Sequence, residues 1–179
     1  LPAPTETPLP APTETPLPPP ASIDLLDQAS SAIWRVADNT IQFGPPAQPG
    51  DGWVNTQSNV TLEDNNRYRT LLVTVPPLAG DRTITGQFNL PTLASDQHFL
   101  AQAGFAADAS AGEVTIRVRF NNESLYERVK QPDNQLLMID IDLSAFAEQT
   151  GVLTIEVVSN IDDMQDELFW SNMRVGPST

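Results

Sequence analysis

The stretch Thr83-Ile84-Thr85-Gly86-Gln87-Phe88-Asn89-Leu90 decides the fold class, because Ile84, Phe88 and Leu90 fall on one face of an extended chain. Alternation of apolar and polar residues over five to eight positions is the pattern of a half-buried β-strand. The same alternation predicts strands after this stretch, at 98–105, 114–120, 139–143 and 153–157. Weaker patterns add strands at 32–36, 40–43, 69–75 and 168–175.

Glycine, proline and asparagine clusters separate these runs, and no long helical pattern occurs between them. One helical turn is predicted at 144–148, with Ser144 as its N-cap. Eight or more short strands without a long helix predict an all-β domain, a two-sheet antiparallel β-sandwich over residues 21–179. Trp34 and Trp170 lie within strand patterns and are predicted to be core residues.

Two pairs of charged residues point outward from predicted strands. Arg117 and Arg119 lie on one strand, and Asp140 and Asp142 lie on another. If these strands are neighbours, the four side chains form a cross-strand ladder that fixes register and aids solubility.

The composition excludes several classes of protein. The chain has 23 acidic and 9 basic residues, a net charge of −14, and no cysteine. So acidic a surface repels phosphate backbones and anionic lipid heads, which argues against nucleic-acid and membrane-surface binding. The absence of cysteine removes disulfides, thiolate metal sites and cysteine nucleophiles. No apolar run is long enough to span a bilayer, so we expect no membrane insertion.

Residues 1–20 form a stalk of a different kind, built on the eight-residue repeat PLPAPTET. They hold nine of the 17 prolines, so an extended polyproline II conformation is predicted, spanning roughly 60 Å at about 3.1 Å per residue. Candidates for O-glycosylation flank these prolines, namely Thr5, Thr7, Thr13 and Thr15. The chain opens inside the repeat and has no signal peptide, so we expect a piece of a longer extracellular or cell-surface precursor.

A resemblance covers residues 84–175. It is carried by the segments Phe99-Leu100-Ala101-Gln102-Ala103-Gly104-Phe105, Gly112-Glu113-Val114-Thr115-Ile116-Arg117-Val118, Ile141-Asp142-Leu143-Ser144 and Phe169-Trp170-Ser171-Asn172. In this order of features the chain resembles the novel carbohydrate-binding modules, which are jelly rolls of the wider galactose-binding-like group. The resemblance implies a jelly roll without catalytic residues, and it assigns no sugar site. The acidic run 162–167 departs from the family pattern.

Candidate sites follow from residue chemistry. Sugar binding needs an aromatic ring to stack on a pyranose, with amides and carboxylates for its hydroxyls. Trp53 lies in a polar loop with Asp51 and Asn55, and these three residues with Tyr126 form the predicted ligand-binding set. No cofactor is expected. The alternative is that the acidic run binds calcium through Asp162, Asp163, Asp166 and Glu167. A catalytic triad would require His98, the single histidine, and the sequence contains no Gly-x-Ser-x-Gly motif.

Two functions remain open, and neither is enzymatic. The first is an extracellular structural subunit that assembles with copies of itself into a surface filament or layer. Its stalk would contact a neighbouring copy through the residues Leu1, Leu9, Leu17 and Pro18, since the leucines recur every eight residues. The alternative is a carbohydrate-binding or adhesion module tethered by a proline- and threonine-rich linker. The sequence favours assembly slightly, because no binding platform is evident in it.

Overall fold

The computed structural model describes residues 22–161 and 166–178. The stalk predictions therefore lie outside the described residues: the assembly residues Leu1, Leu9, Leu17 and Pro18, and the glycosylation candidates Thr5, Thr7, Thr13 and Thr15. Asp162 and Asp163 of the calcium hypothesis lie outside them as well. No helix in the described part of the chain is long and apolar enough to cross a membrane.

The described residues form fourteen strands, one helix and one 3-10 turn. The helix α1 is Leu25–Gln28, and the 3-10 turn is Ser144–Phe146. The strands, in chain order, are β1 Ile23–Asp24, β2 Ile33–Val36, β3 Asn39–Ile41, β4 Trp53–Gln57, β5 Val60–Thr61, β6 Arg67–Tyr68, β7 Leu71–Val75, β8 Thr83–Leu90, β9 Gln97–Gly104, β10 Val114–Phe120, β11 Glu123–Lys130, β12 Leu137–Asp142, β13 Gly151–Ser159 and β14 Leu168–Pro177.

Two six-stranded sheets pack face to face, and the pairings between these strands are antiparallel. The first sheet has the order β12-β9-β14-β7-β4, with β1 beside the end of β14. The second has the order β11-β10-β13-β8-β2-β3, and β5 and β6 form a small separate hairpin. The predicted all-β antiparallel sandwich is confirmed.

The main core lies between the sheets, and the two predicted core tryptophans are in it. Trp34 is 2% exposed and meets Phe88 edge-on at 5.8 Å between ring centroids. Its indole nitrogen donates to the carbonyl of Ala29 at 2.8 Å. Trp170 is fully buried and donates to Thr74 Oγ1 at 3.0 Å. Because each indole N–H has an acceptor, both rings are buried without an unpaired donor.

A second, smaller cluster covers the outer face of the first sheet, and its buried members are Leu62, Leu71, Val73 and Phe169. We call it the outer cluster. It explains why Leu71, Leu72 and Val73 are buried in succession. Leu72 faces the main core, whereas its two neighbours face the outer cluster. The outer cluster matters for the site described below because Trp53 packs against it.

Next to the outer cluster lies a buried ion pair that joins three loops. Lys130 Nζ lies 2.9 Å from Glu63 Oε1, and the side chains are 4% and 3% exposed. The ammonium also donates to Asp133 Oδ1 at 2.6 Å and to the Gln131 carbonyl at 2.7 Å. The Glu63 carboxylate accepts three backbone N–H groups, from Phe105 at 2.9 Å, Asp133 at 2.8 Å and Asn134 at 3.1 Å.

The condition for one local hypothesis is not met, and one local prediction was wrong. Arg117 and Asp140 belong to different sheets, so no ladder joins them. Arg117 instead pairs with Glu127 at 2.8 Å, and Asp140 lies 2.6 Å from His98. The turn at 144–146 exists, but Ser144 is its first residue and not its cap. Asp142 Oδ1 accepts the Ser144 N–H at 2.7 Å and holds the entry to the turn.

Candidate binding groove

A groove of about 490 Å³ opens at the side of the sandwich, between the edge strands β3 and β4. The loop 42–52 joins these strands and closes that side of the domain. Its first residues remain attached to the first sheet, because Gly44 N donates to the Val54 carbonyl at 2.7 Å. The groove therefore lies where the two sheets are joined by the loop and not by a strand.

The groove wall is largely apolar. Trp53 lines it together with three prolines, Pro45, Pro46 and Pro77. Gly52 allows this close approach, since a Cβ at that position would lie 2.6 Å from Val36 Cγ2 and 2.9 Å from Pro77 Cδ. A larger residue at position 52 would push the loop away from the Pro77 segment and change the shape of the groove.

Polar side chains complete the lining, namely Asn39, Gln42 and Asp51. Asp51 also fixes the loop, because its Oδ2 accepts the Gln48 N–H at 2.9 Å. The backbone of Asp51 donates to the Gln48 carbonyl at 3.2 Å and closes a tight turn. All three polar residues are exposed, so their amides and the free carboxylate oxygen face solvent at the groove.

Trp53 is more firmly held than the sequence indicates. It does not lie in a loop but is the first residue of β4, paired with Val75 of β7. Its side chain is half-buried and packs on the outer cluster. The ring thus forms part of the groove wall while its support comes from the sheet beneath it.

The structure brings together two of the four predicted ligand residues, Trp53 and Asp51. Asn55 lies two positions further along β4, does not line the groove, and accepts the Thr56 N–H at 2.8 Å. Tyr126 lies on β11, at the far edge of the second sheet, and packs against the main core. Burial raises the pKa of the Tyr126 hydroxyl, and the nearby Arg128 acts in the opposite direction.

Sequence reasoning missed the proline lining of the groove. In the sequence, Gly44-Pro45-Pro46 and Pro76-Pro77 predict only breaks between strands. The adjacency of Asp51 and Trp53 is visible in the sequence, whereas Pro77 reaches the groove only through the pairing of β4 with β7. The prolines near Trp53 in the sequence were the one signal that could have indicated this lining.

The described part of the acidic run forms a structural contact. Asp166 is 3% exposed, and its two oxygens accept the Glu113 N–H at 3.0 Å and the Ser159 hydroxyl at 2.5 Å. Burial, followed by the negative charge of Asp108, raises the pKa of Glu167. Within 22–161 and 166–178, no three acidic or histidine side chains are grouped as a metal ligand set would be.

His98 lies on the outer face of the first sheet between two carboxylates. Its Nδ1 is 2.6 Å from Asp140 Oδ1, and its Nε2 is 4.0 Å from Asp142 Oδ1. In a serine–histidine–acid triad one ring nitrogen faces the serine hydroxyl and the other faces the acid. Here both nitrogens face carboxylates, which is not the arrangement of a triad.

Comparisons with solved structures identify the type of sandwich. A family 51 carbohydrate-binding module from Clostridium perfringens, solved with methyl-galactose, aligns with a TM-score of 0.56 and 12% identity over 87% of this chain and 99% of that one. A family 22 xylan-binding domain from Paenibacillus barcinonensis aligns with a TM-score of 0.50 and 12% identity over 88% and 99%. No protein-family model and no curated protein sequence matches the chain.

At 12% identity these likenesses show the fold, which is the jelly-roll sandwich of carbohydrate-binding modules. The resemblance inferred from residues 84–175 is confirmed at that level. The alignment extends over most of the chain, beyond the part where motifs could be recognised.

Proposed function

We propose that this chain is a non-catalytic carbohydrate-binding module that acts outside the cell or at its surface. The single observation that carries this proposal is the groove that Trp53 shares with the exposed side chains of Asn39, Gln42 and Asp51. The fold supports it, because the two sandwiches described above are carbohydrate-binding modules. The proline-rich segment 1–20 would act as the tether.

The groove has the chemistry that a sugar requires. A pyranose presents C–H groups on its faces and hydroxyls around its edge, so it pairs with an aromatic ring and a rim of amides and carboxylates. A volume of about 490 Å³ is within the common range for small-ligand pockets. Because the protein carries a net charge of −14, neutral glycans are favoured over sulfated or uronic-acid polymers.

The test is binding to a neutral glycan array and to insoluble polysaccharides, with variants that separate packing from stacking. Trp53→Leu keeps an apolar side chain on the outer cluster but removes the ring, and we expect roughly a tenfold loss of affinity. Met138→Ala is the matched control, since Met138 is 66% exposed on the first sheet, away from the groove. Equal binding by both variants, or no binding by the wild type, would contradict the proposal.

Self-assembly into a filament or layer is the second candidate. The observation that favours it is the regular spacing of Leu1, Leu9 and Leu17 in the proline repeat. Negative-stain microscopy and sedimentation of the full chain would test it across a range of concentrations. We expect polymers if the repeat joins subunits, and a monodisperse monomer at high concentration would exclude this function.

A further inference from the structure

A polar cavity of about 290 Å³ opens on the outer face of the second sheet, next to the Trp53 groove. We propose that it is a second sugar subsite, and that groove and cavity together bind a chain of neutral sugars. This inference rests on the proposed glycan-binding function and extends it, because it names an oligosaccharide and not a single sugar as the ligand. None of the four ligand residues predicted from the sequence is among the described residues that line the cavity.

The floor of the cavity is a row of side chains across three neighbouring strands. Thr85 of β8 lies directly opposite Glu156 of β13, and Glu156 lies directly opposite Arg117 of β10. Residues opposite each other in an antiparallel pair point to the same face of the sheet, here away from the core that holds Ile84 and Ile155. The register therefore places a hydroxyl, a carboxylate and a guanidinium side by side.

Ion pairs hold the charged part of this floor in place. Arg117 Nε donates to Glu127 Oε2 at 2.8 Å, and Arg119 Nη1 lies 3.2 Å from Glu156 Oε1. The Glu156 side chain is only 13% exposed, so it is enclosed by its neighbours. A floor that is already ordered loses little entropy when a ligand binds.

The rest of the lining has unused hydrogen-bonding capacity. Within the described residues, the side chains of Asp38, Asp81, Thr83 and Thr85 make no hydrogen bond or ion pair. Carboxylates only accept hydrogen bonds, whereas hydroxyl groups both donate and accept. A sugar hydroxyl can therefore donate to Asp81 and accept from Thr85. An anionic ligand would meet three carboxylates here, so the cavity favours an uncharged sugar.

The hairpin of β2 and β3 forms one wall of both the groove and the cavity. Val36 and Asn39 pair with each other and line the groove, whereas the two residues between them, Ala37 and Asp38, line the cavity. Ala37 has a φ of 50°, in the left-handed region that a two-residue hairpin turn requires. The barrier between the two openings is therefore a single tight turn.

The segment that joins β7 to β8 forms the other shared wall. Pro77 and Ala79 line the groove, and Asp81 and Thr83 line the cavity. A ligand that occupies both openings must pass the tip of the hairpin, beside this segment. One sugar ring cannot do so, because the turn stands between the two openings of about 490 and 290 Å³. A chain of several sugars is the ligand that fits both.

Calorimetric titration with sugars of increasing length tests the subsite. The probes are cello-, xylo-, manno- and galacto-oligosaccharides, each from the disaccharide to the hexasaccharide. In the series that the wild type binds, we expect the hexasaccharide to bind about tenfold more tightly than the disaccharide, which is the effect of one or two added hydrogen bonds. The stoichiometry should be one chain per protein.

The double variant Asp81→Asn with Thr85→Val should lose most of this gain with length. Valine keeps the branched shape of Thr85 within β8 but has no hydroxyl, and asparagine removes the Asp81 charge. Thr40→Val is the matched control, because Thr40 lies opposite Arg35 on the same face of the sheet but lines neither opening. If the double variant keeps the gain, or loses no more of it than Thr40→Val does, the subsite is overturned.

Amide and indole chemical shifts of the wild type locate the sugar chain without any substitution. The disaccharide should shift the indole signal of Trp53, and the hexasaccharide should shift this signal together with the amides of Thr83 and Thr85. Shifts confined to Trp53 at every chain length would overturn the subsite and leave glycan binding by the groove intact. Two disaccharides bound per protein with no gain at greater length would show separate sites and overturn the continuous one. Failure of the wild type to bind any probe or any glycan on the array would contradict the proposed function itself, and the subsite with it.

Discussion

Replacing Lys130 by methionine should destabilise the domain more than any exposed ion pair does. The substitution keeps most of the apolar stem but removes an ammonium that donates to Glu63, Asp133 and the Gln131 carbonyl. It leaves the Glu63 carboxylate, which is 3% exposed, without its cation. Removing one partner of a buried pair costs about 3–5 kcal/mol.

The structure places the expected loss near the lower end of that range. Glu63 keeps three backbone N–H donors after the substitution, and these offset part of the uncompensated charge. We therefore expect the free energy of unfolding to fall by about 3 kcal/mol. For a domain of this size that corresponds to a fall of about 6–12 °C in Tm.

Urea unfolding followed by tryptophan fluorescence measures this loss, and Arg117→Met is the matched control. Arg117 pairs with Glu127 at 2.8 Å on the same sheet, but the side chains are 35% and 60% exposed. An exposed pair of this kind contributes at most about 1 kcal/mol. If Lys130→Met costs no more than Arg117→Met, the reasoning about the buried pair is refuted.

A second readout of the same variant is the titration of Asp133. The hydrogen bond from Lys130 is the largest cause of its lowered pKa. A carboxyl with a lowered folded-state pKa contributes stability above its unfolded pKa and loses it as the pH falls through the folded value. In Lys130→Met the pKa of Asp133 should move back up, as measured by NMR, and an unchanged titration would show that Lys130 does not hold this carboxylate.

Three further predictions concern other parts of the molecule. Gly86→Ala should lower the free energy of unfolding in urea by about 1–3 kcal/mol, because the added Cβ would lie 2.4 Å from Trp34 Cζ3 in the core. An unchanged free energy of unfolding would show that the indole can move. Burial, helped by the hydrogen bond to Asp64, raises the pKa of Tyr68 to about 12. The stability that the neutral Tyr68 hydroxyl contributes is therefore present below the ordinary pKa of 10.0 and lost as the pH rises through about 12. Absorbance titration at 295 nm should show this late tyrosinate, and an ordinary midpoint would contradict it. The pKa of Glu167 is raised, so the folded domain favours the protonated carboxyl and loses stability as the pH rises through the folded-state pKa. Glu167→Gln, which stays neutral, should therefore raise Tm at pH 7 but not near pH 3. If calcium instead raises the Tm of the wild type and not of this variant, the calcium hypothesis gains support.

Sequence patterns were sufficient for the central strands but indicated only two of the four edge strands, β3 and β12. The bounds of β8 and β10 agree with the predicted 83–90 and 114–120, because strands with one face in the core alternate strictly. The edge strands β4 and β11 were not predicted. In β4 only Val54 is fully buried, and in β11 only Lys130, so neither carries an apolar alternation.

Periodicity in the sequence also shows on which face of a strand a side chain lies, but not which strands are neighbours. The outward direction of Arg117 and Asp140 was predicted, yet the two residues lie on different sheets, a fact set by long-range topology. The candidate groove shows the same limit. The sequence placed Trp53 beside Asp51, whereas Pro77 joins them through tertiary pairing.

The groove is formed before any ligand arrives, and this bears on the glycan proposed to occupy it. Trp53 is fixed by its pairing with Val75 and by its packing on the outer cluster, and the loop opposite is fixed by the Gly44–Val54 and Asp51–Gln48 contacts. A side chain that is already ordered loses little entropy on binding. A sugar would therefore bind a preformed surface and lose little affinity to ordering of the groove.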